Sequence, residues 1–566
     1  MRRLTKLGVV LALSLLAAAC SSSPGGGGGG GGNHASGTLT IDNESGATWT
    51  CGFNPFMAGG SSGQAFSLGL VYEPLVFVNV LQDQHTTPVL ASKFAWSNGD
   101  KTLTFTIRSG VKFTDGTPMT AADVVYTFNL LKNTVVNGTK VLDLNAVWSV
   151  LTSVTQQGSN QVVMQFNGPA LSYFYYVADQ VGIVPQKIWS KISNPAKYND
   201  ANPVGTGPYT MSGCTPQNIA YKANPHYWQA GLPKIETVNY PSFLSNDTAN
   251  TYLAAGSAQW GSQFIPSIQA FYLSKSPNYH TWSPPVANVT LFPNLKNPLL
   301  ANVAVRQAIS YAINKSQASK LGEYGEEPPS NQTGIVSPTF STWQNSTLAA
   351  QYGNAYSYNP AKAMSILKAA GFTKGPDGIF AKNGQKLSFT ILNNGGYSDW
   401  VNAVAVVVQD LKAVGIQATP RDLSGTTYNN DLLTGQFQLA YGSESGGPAP
   451  YYELRQWLYS KNSAPIGTAA ASNFERFSSP AVDALINSYP NALTPAAQHQ
   501  IINKLQQIML SQVPVIPVTE SVDWFQYVTG PSGYSGWPTP SNPYAQPAAY
   551  NVPDWEQVLL HLSPGH

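Results

Sequence analysis

The N-terminus constrains this chain more than any other stretch. Arg2, Arg3 and Lys6 precede an apolar run from Leu7 to Ala19, which Ala17-Ala18-Ala19-Cys20 closes. A positive start, a short apolar stretch and small residues make an export signal. The run is thirteen residues long, short of the roughly 20 that span a bilayer. The folded body is therefore expected outside the cytoplasmic membrane, without ATP and without a reducing cytosol. That setting excludes most cofactor-dependent enzymes. About 530 of the 566 residues follow the signal and its linker. Single hydrophobic cores stop growing near ~250–300 residues, so two or more lobes are expected.

Cysteine at the cut position resembles the lipobox of a bacterial lipoprotein, with Ala17 where most carry leucine. The resemblance implies a diacylglycerol on the Cys20 thiol and a lipid anchor at the cell membrane. An ordinary secretory signal, cut at a nearby A-x-A, is the alternative. Ser21 to Gly37 includes eight consecutive glycines, Gly25 to Gly32. Such a run cannot bury apolar surface and reads as a flexible tether. Folded sequence is expected from Thr38. Of the three cysteines, Cys51 and Cys214 remain once Cys20 is set aside. An oxidising compartment permits a disulfide between them. Sequence alone leaves the bridge open.

Charge is scarce. Asp, Glu, Lys and Arg make up 10% of the chain, against ~25% in ordinary domains. The net charge of +2 gives no electrostatic case for nucleic acid. Aromatic residues reach 11%, with 13 Trp and 29 Tyr. Most must fill cores, but such a composition also suits a site that grips ligand by stacking and hydrogen bonds. No metal site or cofactor is expected: the seven histidines are scattered, and neither H-E-x-x-H nor C-x-x-C occurs. No catalytic residue stands out. The nearest string to a G-x-S-x-G elbow, Gly442-Ser443-Glu444-Ser445-Gly446, has Glu at its centre. Ser365-Ile366-Leu367-Lys368 fits S-x-x-K, but it falls inside a helix and lacks S-D-N and K-T-G partners. An exported serine hydrolase is thus the weaker alternative of another class.

Element punctuation is clear. Lys101 to Arg108 alternates threonine with Leu103, Phe105 and Ile107, a half-buried strand. Thr120-Ala121-Ala122-Asp123 starts a helix with Thr120 as cap, and Val124, Phe128 and Leu131 share its face. Asn302 caps a helix carrying Val305, Ile309 and Ile313. Asn359-Pro360 opens another, which Gly371 closes after Ile366, Leu367 and Ala370. A valine-rich helix is expected from Asp399 to Val414, followed by a strand at Ile416 to Thr419. Thr494-Pro495 starts a helix through Ile501, Leu505 and Ile508, and Pro514 breaks it. Strands and helices alternate, so the class is α/β.

Several segments then read together. They are VYEPLV (Val71 to Val76), RSGVKFTDGTPMTAADV within Pro88 to Phe128, PVGTGPY (Pro203 to Tyr209) and NPHYW (Asn224 to Trp228). In the second half come VRQAISYAINK (Val305 to Lys315), YNPAKAMSILKAAGF (Tyr358 to Phe372) and SSPAVDALI (Ser478 to Ile486). In order and spacing the chain resembles the family 5 extracellular solute-binding proteins of ABC importers. The resemblance implies a bilobal, type II periplasmic-binding-protein-like body that closes on ligand. Lobe one would comprise 38–72, 201–284 and 524–566, an inserted domain 73–200, and lobe two 285–523, with hinge crossings near Pro284 and Asp523. It also implies a monomer that serves an ABC permease and its ATPase, with a peptide as the favoured ligand and a cellobiose-like oligosaccharide as the alternative. The motifs themselves read as structural: Asp115-Gly116 and Gly205 to Pro208 are turns, and Asp123 caps a helix.

In peptide-binding relatives two segments line the cleft. The first, just before the VYEPLV helix, corresponds to Gly60, Ser61 and Ser62. The second corresponds to Tyr441, Gly442, Ser443, Glu444 and Ser445, after a strand expected at Phe437 to Ala440. Here Ser443 stands where relatives carry tryptophan, and no aspartate follows. Glu444 either receives a peptide ammonium or is a solvated loop residue. The departure leaves room for an uncharged sugar. Asn393, Asn394 and Tyr397, before the valine-rich helix, either line the same cleft or form a turn.

Overall fold

The computed structural model describes residues 35–43, 48–56, 67–136, 139–140, 147–444, 446–492 and 494–565. Cys20, Gly60, Ser61, Ser62, Ser445 and the stretch 21–34 lie outside them.

Alternating threonines produce the expected strand, Thr102–Ile107, which buries Leu103, Phe105 and Ile107 on one face. It sits in a four-stranded antiparallel sheet ordered Ala91–Ser97, Thr102–Ile107, Gln161–Phe166, Leu151–Gln157. The helix Ala121–Asn133 packs against this sheet. Its start is a reciprocal cap: Thr120 N donates to Asp123 Oδ2 at 2.9 Å, while the Thr120 side chain receives the amide of Asp123. Asp123 Oδ1 also accepts Gln186 N at 3.0 Å, so the same carboxylate ties two helices together.

Two larger sheets carry the rest. One has seven strands in the order Tyr209–Thr215, Asn218–Ala223, Thr237–Pro241, Thr38–Asp42, Trp260–Gly261, Gln526–Val528, Tyr279–Thr281. The other has five, ordered Gln417–Leu423, Ser388–Asn394, Leu439–Ser443, Pro285–Pro293, Ile516–Val522. Helices cover the second: Val303–Ala312, capped by the Asn302 side chain on Ala304 N, buries Val305 and Ile309, with Ile313 just beyond its end. Ser398–Ala413 buries Val404, Val407 and Leu411. The chain passes between the large sheets twice, side by side. Trp282 N donates to Phe525 O at 3.1 Å, and Asp523 N to Pro284 O at 2.9 Å. The architecture is bilobal and α/β.

Three expectations shift. Val71 to Val76 is not a helix. Tyr72 forms an isolated bridge with Leu68, and the strand Val76–Asn79 follows. Pro74 explains this: it lacks an N–H and holds Glu73 out of the helical region. Second, the strand expected at Phe437 to Ala440 runs over Leu439–Ser443. Third, the one after the valine-rich helix runs over Gln417–Leu423.

The motifs hold the frame. A Cβ on Gly205 would lie 1.9 Å from Val71 O, and one on Gly207 2.2 Å from Leu70 O. Only glycine lets PVGTGPY lie on that backbone, where Gly207 N donates to Val71 O at 2.9 Å. Glu73 is fully buried, and accepts Tyr227 Oη–H at 2.7 Å and Trp228 Nε1–H at 2.9 Å. The NPHYW segment thereby anchors VYEPLV. Cys51 and Cys214 are disulfide-bonded, with Cα atoms 5.7 Å apart.

Candidate functional site

In open α/β sheets, ligands sit beyond the carboxyl ends of parallel strands. Thr38–Asp42 runs parallel to Trp260–Gly261, and Ser388–Asn394 parallel to Leu439–Ser443. Asn43, Ser262, Tyr397 and Glu444 follow those four strands, and all border one cavity of about 580 Å³. The volume falls within the ~300–1,000 Å³ of ligand pockets. Its walls come from both large sheets and include the second crossing, Ser521 to Trp524.

The lining has a distinct chemistry. Seven aromatic side chains border it: Trp49, Tyr175, Phe264, Tyr397, Trp400, Trp524 and Tyr550. Their partners hold them edge-on: Trp400 meets Tyr397 at 5.1 Å and Tyr441 at 5.8 Å, and Trp524 meets Phe264 at 5.5 Å. Amides of Asn43, Gln180, Asn246, Gln263, Gln546 and Asn551 lie between them. Five carboxyls face inward, from Glu327, Asp399, Glu444, Asp523 and Asp554. No lysine, arginine or histidine is among the described lining residues.

Burial raises every one of these carboxyls, because desolvation disfavours the charged form and no cation compensates. Glu327, Glu444 and Asp554 are pushed up to about 8, and Asp399 and Asp523 to about 7. Hydrogen bonds offset this in part. Thr519 Oγ1 donates to Glu327 Oε2 at 2.7 Å. Asn551 Nδ2 and Gln546 Nε2 donate to Asp523 at 2.8 and 3.0 Å. Gln546 N donates to Asp554 Oδ1 at 2.8 Å. Asn246 Nδ2 reaches Asp399 Oδ1 at 3.5 Å from the opposite wall. Near neutrality the cavity thus offers both carboxyl O–H donors and carbonyl acceptors. Among the described residues, no group of three His, Cys, Asp or Glu side chains is placed to hold a metal ion.

Of the residues singled out from sequence, Tyr397, Ser443 and Glu444 come together in the lining. Glu444 is buried rather than solvated, and only the Asn473 amide opposes its raised pKa. Asn393, Asn394, Tyr441 and Gly442 do not border the cavity. Tyr441 and Gly442 belong to the strand, where side chains alternate between faces; Tyr441 is fully buried in the core of the five-stranded sheet. A Cβ on Gly442 would meet Tyr428 Oη at 2.3 Å, and that hydroxyl donates to Tyr441 O at 2.8 Å. Asn393 and Asn394 end the strand Ser388–Asn394 rather than sitting in a loop: Asn393 Nδ2 donates across to Asp422 Oδ1 of the paired strand at 2.9 Å, and Asn394 Oδ1 accepts Gly396 N at 3.0 Å in the turn that follows. Trp400, Trp524, Phe264 and the carboxyls other than Glu444 were not foreseen. Position beyond a strand end is the signal that finds most of them.

Paired α/β sheets joined by two adjacent crossings, with a cavity between them, define a solute-binding protein. The chain belongs to the bacterial extracellular solute-binding proteins, family 5, whose model matches residues 85–465. It is 22% identical over 512 residues to the probable peptide-binding protein YejA of Agrobacterium fabrum, covering 82% of this chain and 81% of that one. It is 29% identical over 352 residues to the glutathione-binding protein GsiB of Salmonella typhi, a match covering 60% of this chain and 61% of the relative. Its structure is similar to a periplasmic oligopeptide-binding protein of Thermotoga maritima solved with mannohexaose bound. The TM-score is 0.85 and the identity 25%, covering 94% of this chain and 99% of that one.

Proposed function

We propose that the chain is the extracytoplasmic, non-catalytic capture component of an ABC importer, and that its ligand is an oligosaccharide. One observation carries the ligand class: the cavity joins seven aromatic rings to amides and raised carboxyls, with no basic side chain among its described lining residues. Aromatic faces stack on the apolar faces of sugar rings. Amides and protonated carboxyls both donate and accept, which matches hydroxyl groups. The mannohexaose carried by the Thermotoga maritima relative supports this choice.

A peptide is the second reading. The names of the curated relatives favour it, and the carboxyls suit an ammonium group. A basic partner for the peptide's own carboxylate is what the described lining lacks.

Closure would turn on the adjacent crossings at Trp282 to Pro284 and Asp523 to Phe525, separating 38–72, 201–284 and 524–566 from 285–523, with 73–200 as the insert. Ligand must bind the closed form better than the open one to drive it. The body would be held at the outer side of the cell membrane through a lipid on Cys20.

Thermal unfolding with mannohexaose, cellobiose and a peptide panel tests the assignment. A true ligand at 100 times its dissociation constant adds ~2.7 kcal/mol of stability. Stabilisation by oligosaccharides alone is expected; stabilisation by peptides alone refutes the oligosaccharide reading. Turnover of any bound compound refutes the non-catalytic one.

A further inference from the structure

A second cavity, of about 570 Å³, opens away from the lining described above, and its charge is opposite. Arg108, Lys234 and His561 border it, and no aspartate or glutamate is among its described lining residues. Lysine and arginine number only 30 in 566 residues, so two of them with a histidine around one groove are a local concentration.

Each is held in place. The Arg108 guanidinium lies 4.3 Å from the Trp228 ring centroid, and its Nε donates to Val89 O at 3.0 Å. Lys234 Nζ donates to Ser563 Oγ at 2.9 Å. His561 stacks on Tyr544 at 4.1 Å, with Nδ1 2.7 Å from Gln557 O. The acid nearest in sequence, Glu236, is paired with Lys222 at 3.8 Å.

The described residues also begin here. Ser36 N donates to the carbonyl of Lys234 at 2.9 Å, and Glu236 N to Ser36 O at 3.4 Å. Fourteen residues separate Cys20 from Ala35. Their contour, at most about 3.5 Å per residue, keeps this face within roughly 50 Å of a membrane anchored at Cys20.

We propose that this groove seats the phosphate of an anionic phospholipid, so that the body rests on the membrane by the face where its chain enters. The proposal relies on the lipid anchor for its geometry. A phospholipid is favoured over a free anion because the Lys234 ammonium is exposed. Exposed charges hold a lone anion weakly, whereas a charged surface adds a contribution from every basic side chain near it.

The test uses the full chain exported from a bacterial host with Cys20→Ser, so that lipidation cannot supply the attachment. Binding is measured by co-sedimentation with vesicles of phosphatidylcholine, with and without phosphatidylglycerol, an anionic phospholipid. The protein should prefer the anionic vesicles. Arg108→Gln with Lys234→Gln should weaken that binding on the order of 25-fold, about 5-fold per basic side chain. Lys234→Gln alone, which leaves the Trp228 contact intact, should give about 5-fold. A control of equal charge change at exposed lobe-two positions, Lys412→Gln with Lys504→Gln, should leave binding within about 2-fold. Equal losses in the control, no anionic preference, or competition by millimolar inorganic phosphate would each overturn the proposal. The anchor is tested separately by the chain with Cys20 intact. Release of that chain from membranes refutes the anchor without touching the vesicle result.

Discussion

Asp399 provides a titration that reports closure. It lies in the first turn of Ser398–Ala413, where Asn246 meets it across the cavity at 3.5 Å. Burial raises its carboxyl from 3.8 to about 7. A shift of about three units corresponds to ~4 kcal/mol between the ionised group in the closed site and the same group in water. If opening exposes Asp399 to water, the carboxyl releases on opening a proton that it holds while buried. Closure keeps its full advantage below about pH 4 and loses it progressively as pH rises to about 7. Each proton taken up on closure makes affinity fall up to about tenfold per pH unit across that window. Glu323, Glu326 and Glu327 face the same region and are also raised, so the four titrate as a group. Asp399→Asn removes one carboxyl while keeping an oxygen for Asn246. Calorimetry with a neutral oligosaccharide at pH 5, 6 and 7, points chosen across the window, reads the slope without titrating the ligand. The wild-type protein should lose affinity with rising pH, and the variant should lose less, by up to about one decade per unit. A flat wild-type profile, or parallel profiles for the two proteins, would refute the link between this carboxyl and closure.

Three further outcomes follow from the contacts. Gly205→Ala sets a methyl 1.9 Å from Val71 O, a backbone atom that cannot rotate away, so denaturant unfolding should show a loss of about 3 kcal/mol or more. Replacing Cys51 and Cys214 by serine frees a loop of 163 residues. The chain-entropy account sets the loss at up to about 5 kcal/mol, measured against the oxidised wild-type protein. Trp524→Ala removes a ring that borders the cavity and meets Phe264 at 5.5 Å; oligosaccharide affinity should fall at least about tenfold, ~1.4 kcal/mol, in calorimetry.

Helix starts were legible because their chemistry is local. Thr120 with Asp123, Asn302, Asn359 and Thr494 each supply a side-chain oxygen to the first turn, and that pattern lies within four residues of sequence. Strand Thr102–Ile107 was legible for the same reason. The end of Leu439–Ser443 was not: it lies three residues past the expected Ala440, which moves Tyr441, Gly442 and Ser443 from loop to strand. The cavity was harder still. Asn43, Ser262, Asp399, Glu444, Asp523 and Asp554 meet there from across the whole chain. Carboxyls are usually exposed, so Asp399 and Glu327 read in sequence as ordinary surface. Only the fold reveals that they are enclosed.

That contrast explains why a strong family resemblance says little about cargo. Gly205 and Gly207 lie on the Leu70-Val71 backbone, and Tyr227 with Trp228 holds Glu73. None of these borders the cavity. Altering any of them strains a buried junction: Glu73 is itself raised to about 7 by burial, and losing Tyr227 or Trp228 would leave its carboxyl short of donors. Residues beyond the strand ends border the cavity instead: Glu444 follows Leu439–Ser443, and Trp524 follows Ile516–Val522. The frame therefore resists substitution where the recognisable motifs lie. On the proposed site, ligand choice would reside in scattered positions at the carboxyl ends of strands or along a crossing.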